Sequence, residues 1–257
     1  MYEVQEVIDL IEQVAPPETA AKWDNSGWQI NLGKKNFNKI MTALTVTDDV
    51  VKQASDKDCD LIVTHHPLIF EPLKRIEEGV ITRAIKDGIQ IYSAHTNLDV
   101  AKGGTTDTLV EKCGFGEAPV IEEFINGKTL SEELDLEFLK EDIKKRLNLN
   151  TLKVINLCDK KSIKSVAFCA GAGGSEIPRV NDFGFDLFIT GEVKFHEAFE
   201  AKDTVVFEVG HYDSEKYVGE IFKRILGEKF EILEADEKRP YRSEEHTSEL
   251  QSHSDLV

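Results

Sequence analysis

No apolar stretch in this chain approaches the roughly 20 residues that a membrane-spanning helix requires. Residues 1–14 are acidic and helically periodic rather than basic and then apolar, so no secretory signal is expected there. Positive charge is scarce, with 31 Lys and Arg against 48 Asp and Glu and a formal net charge of −17. General binding to nucleic acid or to an anionic membrane needs clustered positive charge, which argues against both. A local cationic pocket made by bound metal stays compatible with this balance. Cysteine is sparse and unpatterned, since Cys59, Cys113, Cys158 and Cys169 lie far apart with no C-x-x-C. That spacing favours free thiols and a cytoplasmic setting over a disulfide framework. Cys59 and Cys169 border predicted strands, where a free thiol serves as a small buried hydrophobe. Also missing are a Walker A sequence and any Ser-His-Asp or Cys-His order that would favour nucleophilic catalysis.

What is present is an ordinary globular composition, 40% hydrophobic and 31% charged over 257 residues, enough for one large or two small domains. The chain is organised around residues 60–70, D-L-I-V-T-H-H-P-L-I-F. Leu61, Ile62 and Val63 read as a buried parallel strand, too short for a helix. His65 and His66 stand at its carboxyl end. Along a regular strand they would point to opposite faces. Pro67 ends the strand and turns the chain, which lets both imidazoles converge in the crevice where open α/β sheets bind ligands. A polar strand end with two solvated histidines is the competing reading.

Val4, Val7, Ile8, Ile11 and Val14 recur at helical spacing and are stopped by Pro16 and Pro17. Trp23 and Trp28 flank a turn-rich segment, and two tryptophans this close predict packing against the core, with a binding platform as the alternative. Further strands are expected at residues 40–46, 89–94, 152–157, 165–169, 186–190, 204–209 and 230–233. Helices are expected at 47–55, 82–86, 105–112, 136–147, 194–201 and 213–226, with another starting near 176. Residues 117–134 are acidic and aperiodic and read as a loop. The glycine-rich residues 171–175 open a helix; a tight turn fits them better than an anion cradle. An internal repeat shows where strand, helix and D-L-I-V-T at 60–64 match strand, helix and D-L-F-I-T at 186–190. Each is followed by a helix and a strand ending at a histidine, His95 or His211. The expected fold is α/β, with two similar halves (residues 1–116 and 117–241) whose mixed or mostly parallel sheets are flanked by helices. The site would lie between the halves at strand carboxyl ends. Residues 242–257 resemble the translation of a sequencing-library adapter and are expected to be a disordered artefact.

Five of the seven histidines precede that tail, and His65, His66, His95 and His211 sit at predicted strand ends; His196 falls inside a predicted helix. Asp99 follows His95 by four residues and Glu215 follows His211 by four. On a helix that spacing puts both side chains on one face, as in the H-E-x-x-H metal motif. With His65, His66 and Asp99 the set offers at least five nitrogen and oxygen ligands. One tetrahedral zinc takes four, so a pair of divalent ions bridged by a carboxylate fits better. Simple capping of strands and helices by the same residues is the alternative.

The motifs W-D-N-S-G, T-H-H-P-L-I-F, H-T-N-L-D-V-A-x-G-G, I-T-G-E-V-K-F-H and G-H-Y-D-S-E stand in this order between residues 23 and 215. Together they resemble the YbgI-type, Nif-three-like dinuclear metal-centre proteins, catalogued as GTP cyclohydrolase 1 type 2 homologues. The resemblance implies two α/β halves in a toroidal homohexamer whose metal sites face an inner cavity. It implies two divalent ions per chain: His66 and Asp99 on one, His65 and His211 on the other, and Glu215 bridging. His95 would stand beside them as a proton carrier. Zinc, iron and manganese all suit mixed imidazole and carboxylate ligands. Departures are Trp28, where the family has a smaller apolar residue, Glu192, where Asp is common, and the acidic sequence after Gly114 in place of a glycine-rich stretch. The implied activity is metal-dependent hydrolysis of a small molecule such as a nucleotide or purine ring; a metal-binding regulator or carrier without turnover is the other class.

Overall fold

A computed structural model describes residues 1–240, so the tail expected at 242–257 lies outside the described residues. The first part of the chain forms strands β1 (Tyr2–Glu3), β2 (Gly27–Ile30), β3 (Asn36–Phe37), β4 (Lys39–Ala43), β5 (Leu61–Thr64) and β6 (Gln90–Ser93). Its helices are α1 (Val4–Val14), α2 (Asp48–Asp56), α3 (Val80–Lys86), α4 (Thr96–Asp99) and α5 (Thr105–Lys112). The remainder carries β7 (Val120–Glu122), β8 (Ile125–Asp135), β9 (Lys153–Ile155), β10 (Ser162–Cys169), β11 (Leu187–Thr190), β12 (Val205–Glu208) and β13 (Glu231–Glu234). Between them run α6 (Leu136–Leu147), α7 (Ile177–Asp182), α8 (His211–Glu215) and α9 (Val218–Leu226).

Two sheets dominate. The first has the order β13-β4-β5-β6-β2, parallel except for β2. The second has the order β7-β8-β10-β11-β12-β9, with a parallel centre of β10, β11 and β12. The parallel triplets β4-β5-β6 and β10-β11-β12 are the repeat visible in the sequence. Every residue of β5, β6 and β11 is buried, because helices cover both faces of each sheet. In the first sheet, Leu61 and Val63 face α1 and α9, while Met41, Ile62 and Ile91 face α2 and α3. In the second, Phe168 and Phe207 pack with α5 and α6, and Phe188 and Val206 pack with α7. The two halves exchange elements. Helix α5 packs on the second sheet, whereas α9 and β13 return to the first.

Local signals explain the helix starts. Thr47 accepts from the Val50 amide at 3.2 Å and Asp135 from the Phe138 amide at 2.8 Å, each capping an otherwise unpaired donor. Asn148 takes the left-handed conformation that closes α6, at φ 55°.

Three sequence expectations are corrected. Residues 117–134 are not a loop but the β7–β8 hairpin. Beyond Ile125, Asn126 and Gly127 the residues of β8 are at least partly exposed, so this antiparallel strand lacks a continuous apolar signature. Residues 194–201 hold only the short 3₁₀ turn Glu197–Glu200, none of it buried, so no packed face sustains a helix there. The single helix expected over 213–226 is two. α8 turns His211 and Glu215 toward the centre of the molecule, and α9 re-aims its apolar face at the first core.

Candidate metal centre

The carboxyl ends of the parallel strands in both sheets meet at one place. His65 and His66 follow β5, the His95–Asp99 turn follows β6, Gly171 follows β10, Glu192 follows β11, and His211 opens α8 after β12. Glu215, on the last residue of α8, is buried at 3% exposure and sits at the centre. Its Oε2 lies 3.0 Å from His66 Nε2 and 3.1 Å from His211 Nε2. Its Oε1 lies 3.5 Å from His65 Nε2, which is 3.4 Å from Asp99 Oδ1.

Each imidazole is oriented by its other nitrogen. His65 Nδ1 is 2.8 Å from the Ala94 carbonyl, His66 Nδ1 is 2.8 Å from the Thr45 hydroxyl, and His211 Nδ1 is 3.0 Å from Glu192. A carbonyl and an ionised carboxylate only accept, so His65 and His211 carry hydrogen on Nδ1. That is the arrangement in which metal-binding histidines are held, with Nε2 presented to the ion.

His65 provides the test of fit. It is fully buried, and its Nε2 has no hydrogen-bond partner despite lying between two carboxylates. A neutral ring would face two acceptors with a lone pair, an arrangement that needs a cation between them. Burial opposes protonation of His65, but the Asp99 and Glu215 charges outweigh it and push its pKa well above the usual histidine value. Burial likewise opposes ionisation of Glu215, and the neighbouring imidazoles outweigh that too, holding it well below the carboxylate range. For His211 the Glu215 and Glu192 carboxylates overcome burial and raise the pKa to about 9. His66 goes the other way, because burial dominates. The donor set therefore draws positive charge to itself, which protons or a divalent ion would supply.

Two groups of candidate ligands share Glu215: His65, Asp99 and Glu215, and His66, His211 and Glu215. Within each, the ligand atoms lie within 4.8 Å of one another. These distances differ from the pairing implied by the resemblance, which joined His66 to Asp99 and His65 to His211. The physical reason is the anchoring of Nδ1. His65 is pinned to the end of β6 beside the Asp99 turn, while His66 is pinned to Thr45 and turns toward α8. Asp99 accepts from the Thr105 hydroxyl. Gly171 takes φ 66°, and a Cβ there would collide with Glu215 Oε1. The glycine-rich segment is thus a tight turn that leaves room for the carboxylate, and its three glycine amides donate within the protein: Gly171 to Ser214, Gly173 to Thr190 and Gly174 to the Glu192 carbonyl.

His95 stands in a third group with His65 and His66, but its strongest tie leads away from them. Its Nδ1 is 2.7 Å from Asp24, which also accepts from the Thr96 amide at 3.1 Å and from the Ser26 hydroxyl at 2.7 Å. Burial of Asp24 favours the neutral acid, but hydrogen bonds from His95 and Thr96 prevail and keep it well below the ordinary aspartate range. Sequence reasoning misses Asp24, which lies 71 residues from its partner; the only signal is a turn crowded with Asp, Asn and Ser. His196 stays outside the cluster, at the start of the 3₁₀ turn. Trp28 packs edge-on against Tyr92 in the first core, with ring centroids 5.4 Å apart. Trp23 corrects the core expectation: it is 63% exposed, at the mouth of a cavity of about 1200 Å3 that contains His66, His95, Asp99, His211 and Glu215.

Residues 2–240 match the profile of the DUF34/NIF3 (NGG1p interacting factor 3) family. The chain belongs to the DUF34/NIF3 family. A Clostridium perfringens relative named GTP cyclohydrolase 1 type 2 homolog is 33% identical over 227 residues, 82% of this chain and 86% of that protein. NIF3-like protein 1 of Drosophila melanogaster is 31% identical, over 82% of this chain and 77% of that one. Among solved structures, the Bacillus cereus protein related to NIF3 superposes with a TM-score of 0.83 at 22% identity, covering 95% of this chain and 99% of its own. Reduced HcgD from Methanocaldococcus jannaschii gives a TM-score of 0.78 at 28% identity, over 91% and 98%. Among the described residues no helix is long and apolar enough to cross a membrane.

Proposed function

We propose that this DUF34/NIF3 chain is a dinuclear divalent-metal-dependent hydrolase acting on a small molecule, a nucleotide or purine ring. In this reading His65, Asp99 and Glu215 hold one ion, and His66, His211 and Glu215 hold the other. The observation that carries it is the unpartnered His65 Nε2, buried between two carboxylates at the edge of a large cavity. The names of the relatives as cyclohydrolase homologues support the substrate class.

Bound ions would supply Lewis acidity and a water of lowered pKa. The chain's own groups do the rest. Glu192, Thr45 and the Ala94 carbonyl orient the three ligand rings. Asp24, ionised and buried, holds the hydrogen of His95 on Nδ1 and leaves Nε2 to take up or return a proton at the substrate. We further propose a cytoplasmic homohexamer, checked by light scattering. Metal analysis of the purified protein, paired with a hydrolysis screen of nucleotides and phosphoesters, tests the reading. Two ions per chain with turnover are expected. One ion or fewer after reconstitution overturns the dinuclear centre; two ions with no turnover on any substrate favour a metal-binding regulator or carrier.

A further inference from the structure

Two exposed aromatic rings stand on one lip of the cavity. Trp23 is 63% and Phe70 50% exposed, with ring centroids 6.0 Å apart and planes tilted by 54°. Neither ring belongs to a buried core cluster, yet neither sits on a free loop. Asn25, two residues after Trp23, donates its side-chain amide to the Ile69 carbonyl, and the Ile69 amide donates to Gln29 Oε1 at 2.9 Å. Asp24 is fixed by His95, Thr96 and Ser26. The segments carrying the two rings are thus tied to each other and to the metal-facing turn. Across the cavity Phe124 lies in the two-residue β7–β8 turn at φ 68°, a conformation that side chains of this size rarely adopt. Exposed rings carried on segments that are tied together bring less conformational freedom into ligand binding than rings on a free loop would.

The ring nearest the chemistry is Trp23, whose centroid is 6.3 Å from that of His95 and edge-on to it. A flat ligand stacked on Trp23 would lie within reach of His95. Since Asp24 accepts from His95 Nδ1, Nε2 is the ring nitrogen left for a ligand, and an N–H on the ligand's edge can donate to it. The cavity, at about 1200 Å3, exceeds the usual small-molecule range of about 300–1,000 Å3 and has room for substituents beyond the ring.

We propose that Trp23 and Phe70 form a stacking platform that seats a planar nitrogen heterocycle bearing an N–H edge against His95. The inference rests on the proposed metal-site reading for what happens next to the ring, but ring binding itself is measurable without turnover.

The test uses the whole chain, metal content being measured separately on every sample. The sequence has two tryptophans, so Trp28→Phe leaves Trp23 as the reporter. Purine and pyrimidine nucleoside monophosphates are titrated against its fluorescence, with ribose 5-phosphate as the ring-free control; calorimetry on the unsubstituted protein repeats the comparison if Trp28→Phe does not fold. Nucleotides are expected to quench Trp23 and ribose 5-phosphate to leave it unchanged. In calorimetry, Trp23→Ala should weaken nucleotide binding about 5- to 150-fold, the loss of one base–aromatic stack, and Trp23→Phe should restore most of it. Metal content should not change. Equal binding of ribose 5-phosphate, no binding of any nucleotide at millimolar concentration, or unchanged affinity in Trp23→Ala would each overturn the platform while leaving the metal reading standing. A change of assembly state in Trp23→Ala would also overturn it, because a second copy would then be the rings' occupant. Loss of both metals with ring binding retained would instead remove the proposed hydrolase.

Discussion

Glu215 has one oxygen toward His65 and the other toward His66 and His211, so its two lone-pair sets serve different neighbours. Glu215→Gln removes the charge and replaces one acceptor with a donor. Both ions should therefore be lost together, read by metal analysis; loss of only one would show that the carboxylate does not bridge. Asp24→Asn makes a different prediction. The asparagine amide can face the Nδ1 edge of His95 with a donor and shift the ring hydrogen to Nε2. Metal content should hold, while turnover falls by about 10²-fold or more and the pH–rate profile changes shape. A fall in rate with an unchanged profile would reduce Asp24 to a structural turn residue. The candidate ligand histidines are legible in the sequence because strand-end imidazoles are chemically conspicuous. Asp24 is not, because its partner is remote in sequence and nothing in a turn marks an aspartate as buried.

At the scale of elements, the parallel triplets are readable because continuous β-branched runs alternating with helices suit a sheet buried on both faces and little else. The β8 strand and the break between α8 and α9 are not. The first shows only half a face to the core, and the second hides a change of packing partner inside an unbroken helical periodicity. That break matters, since it lets Glu215 point at the histidine cluster while Phe222 and Ile221 pack into the first core. The Gly171 turn is the matching constraint from the other sheet. Gly171→Ala should cost about 1–2 kcal/mol for its left-handed backbone and should also push Glu215 aside. Reduced metal stoichiometry beyond what the loss of stability accounts for is expected, measured by metal analysis on protein that still melts cooperatively. Normal metal binding would show that the carboxylate can shift without consequence.

For the whole molecule, the candidate metal centre is where the two sheets meet: His65 and His66 follow β5 and Asp99 ends α4 after β6 of the first sheet, while His211 opens α8 after β12 of the second. Glu215, from the chain's last third, touches all three histidine ligands. Unfolding separates these groups, so ions that bind only the assembled set stabilise the molecule by mass action. Free metal at about a thousandfold above its dissociation constant contributes about 4 kcal/mol per independent site. Chelation should therefore lower Tm by several degrees, and restored metal should bring it back. Without the ions, the buried carboxylates are balanced only by protonated imidazoles. His211, raised to about 9, contributes stability that is fully present below its unfolded value near 6.5 and lost as pH rises through 9. The metal-free protein should thus weaken between about pH 6.5 and 9, whereas in the loaded protein the ion takes the proton's place. The gap in Tm between loaded and chelated samples is expected to widen over that interval, measured by calorimetry in matched buffers. A gap that stays constant with pH would mean that His211 does not exchange a proton for a metal ion, and would remove it from the ligand set.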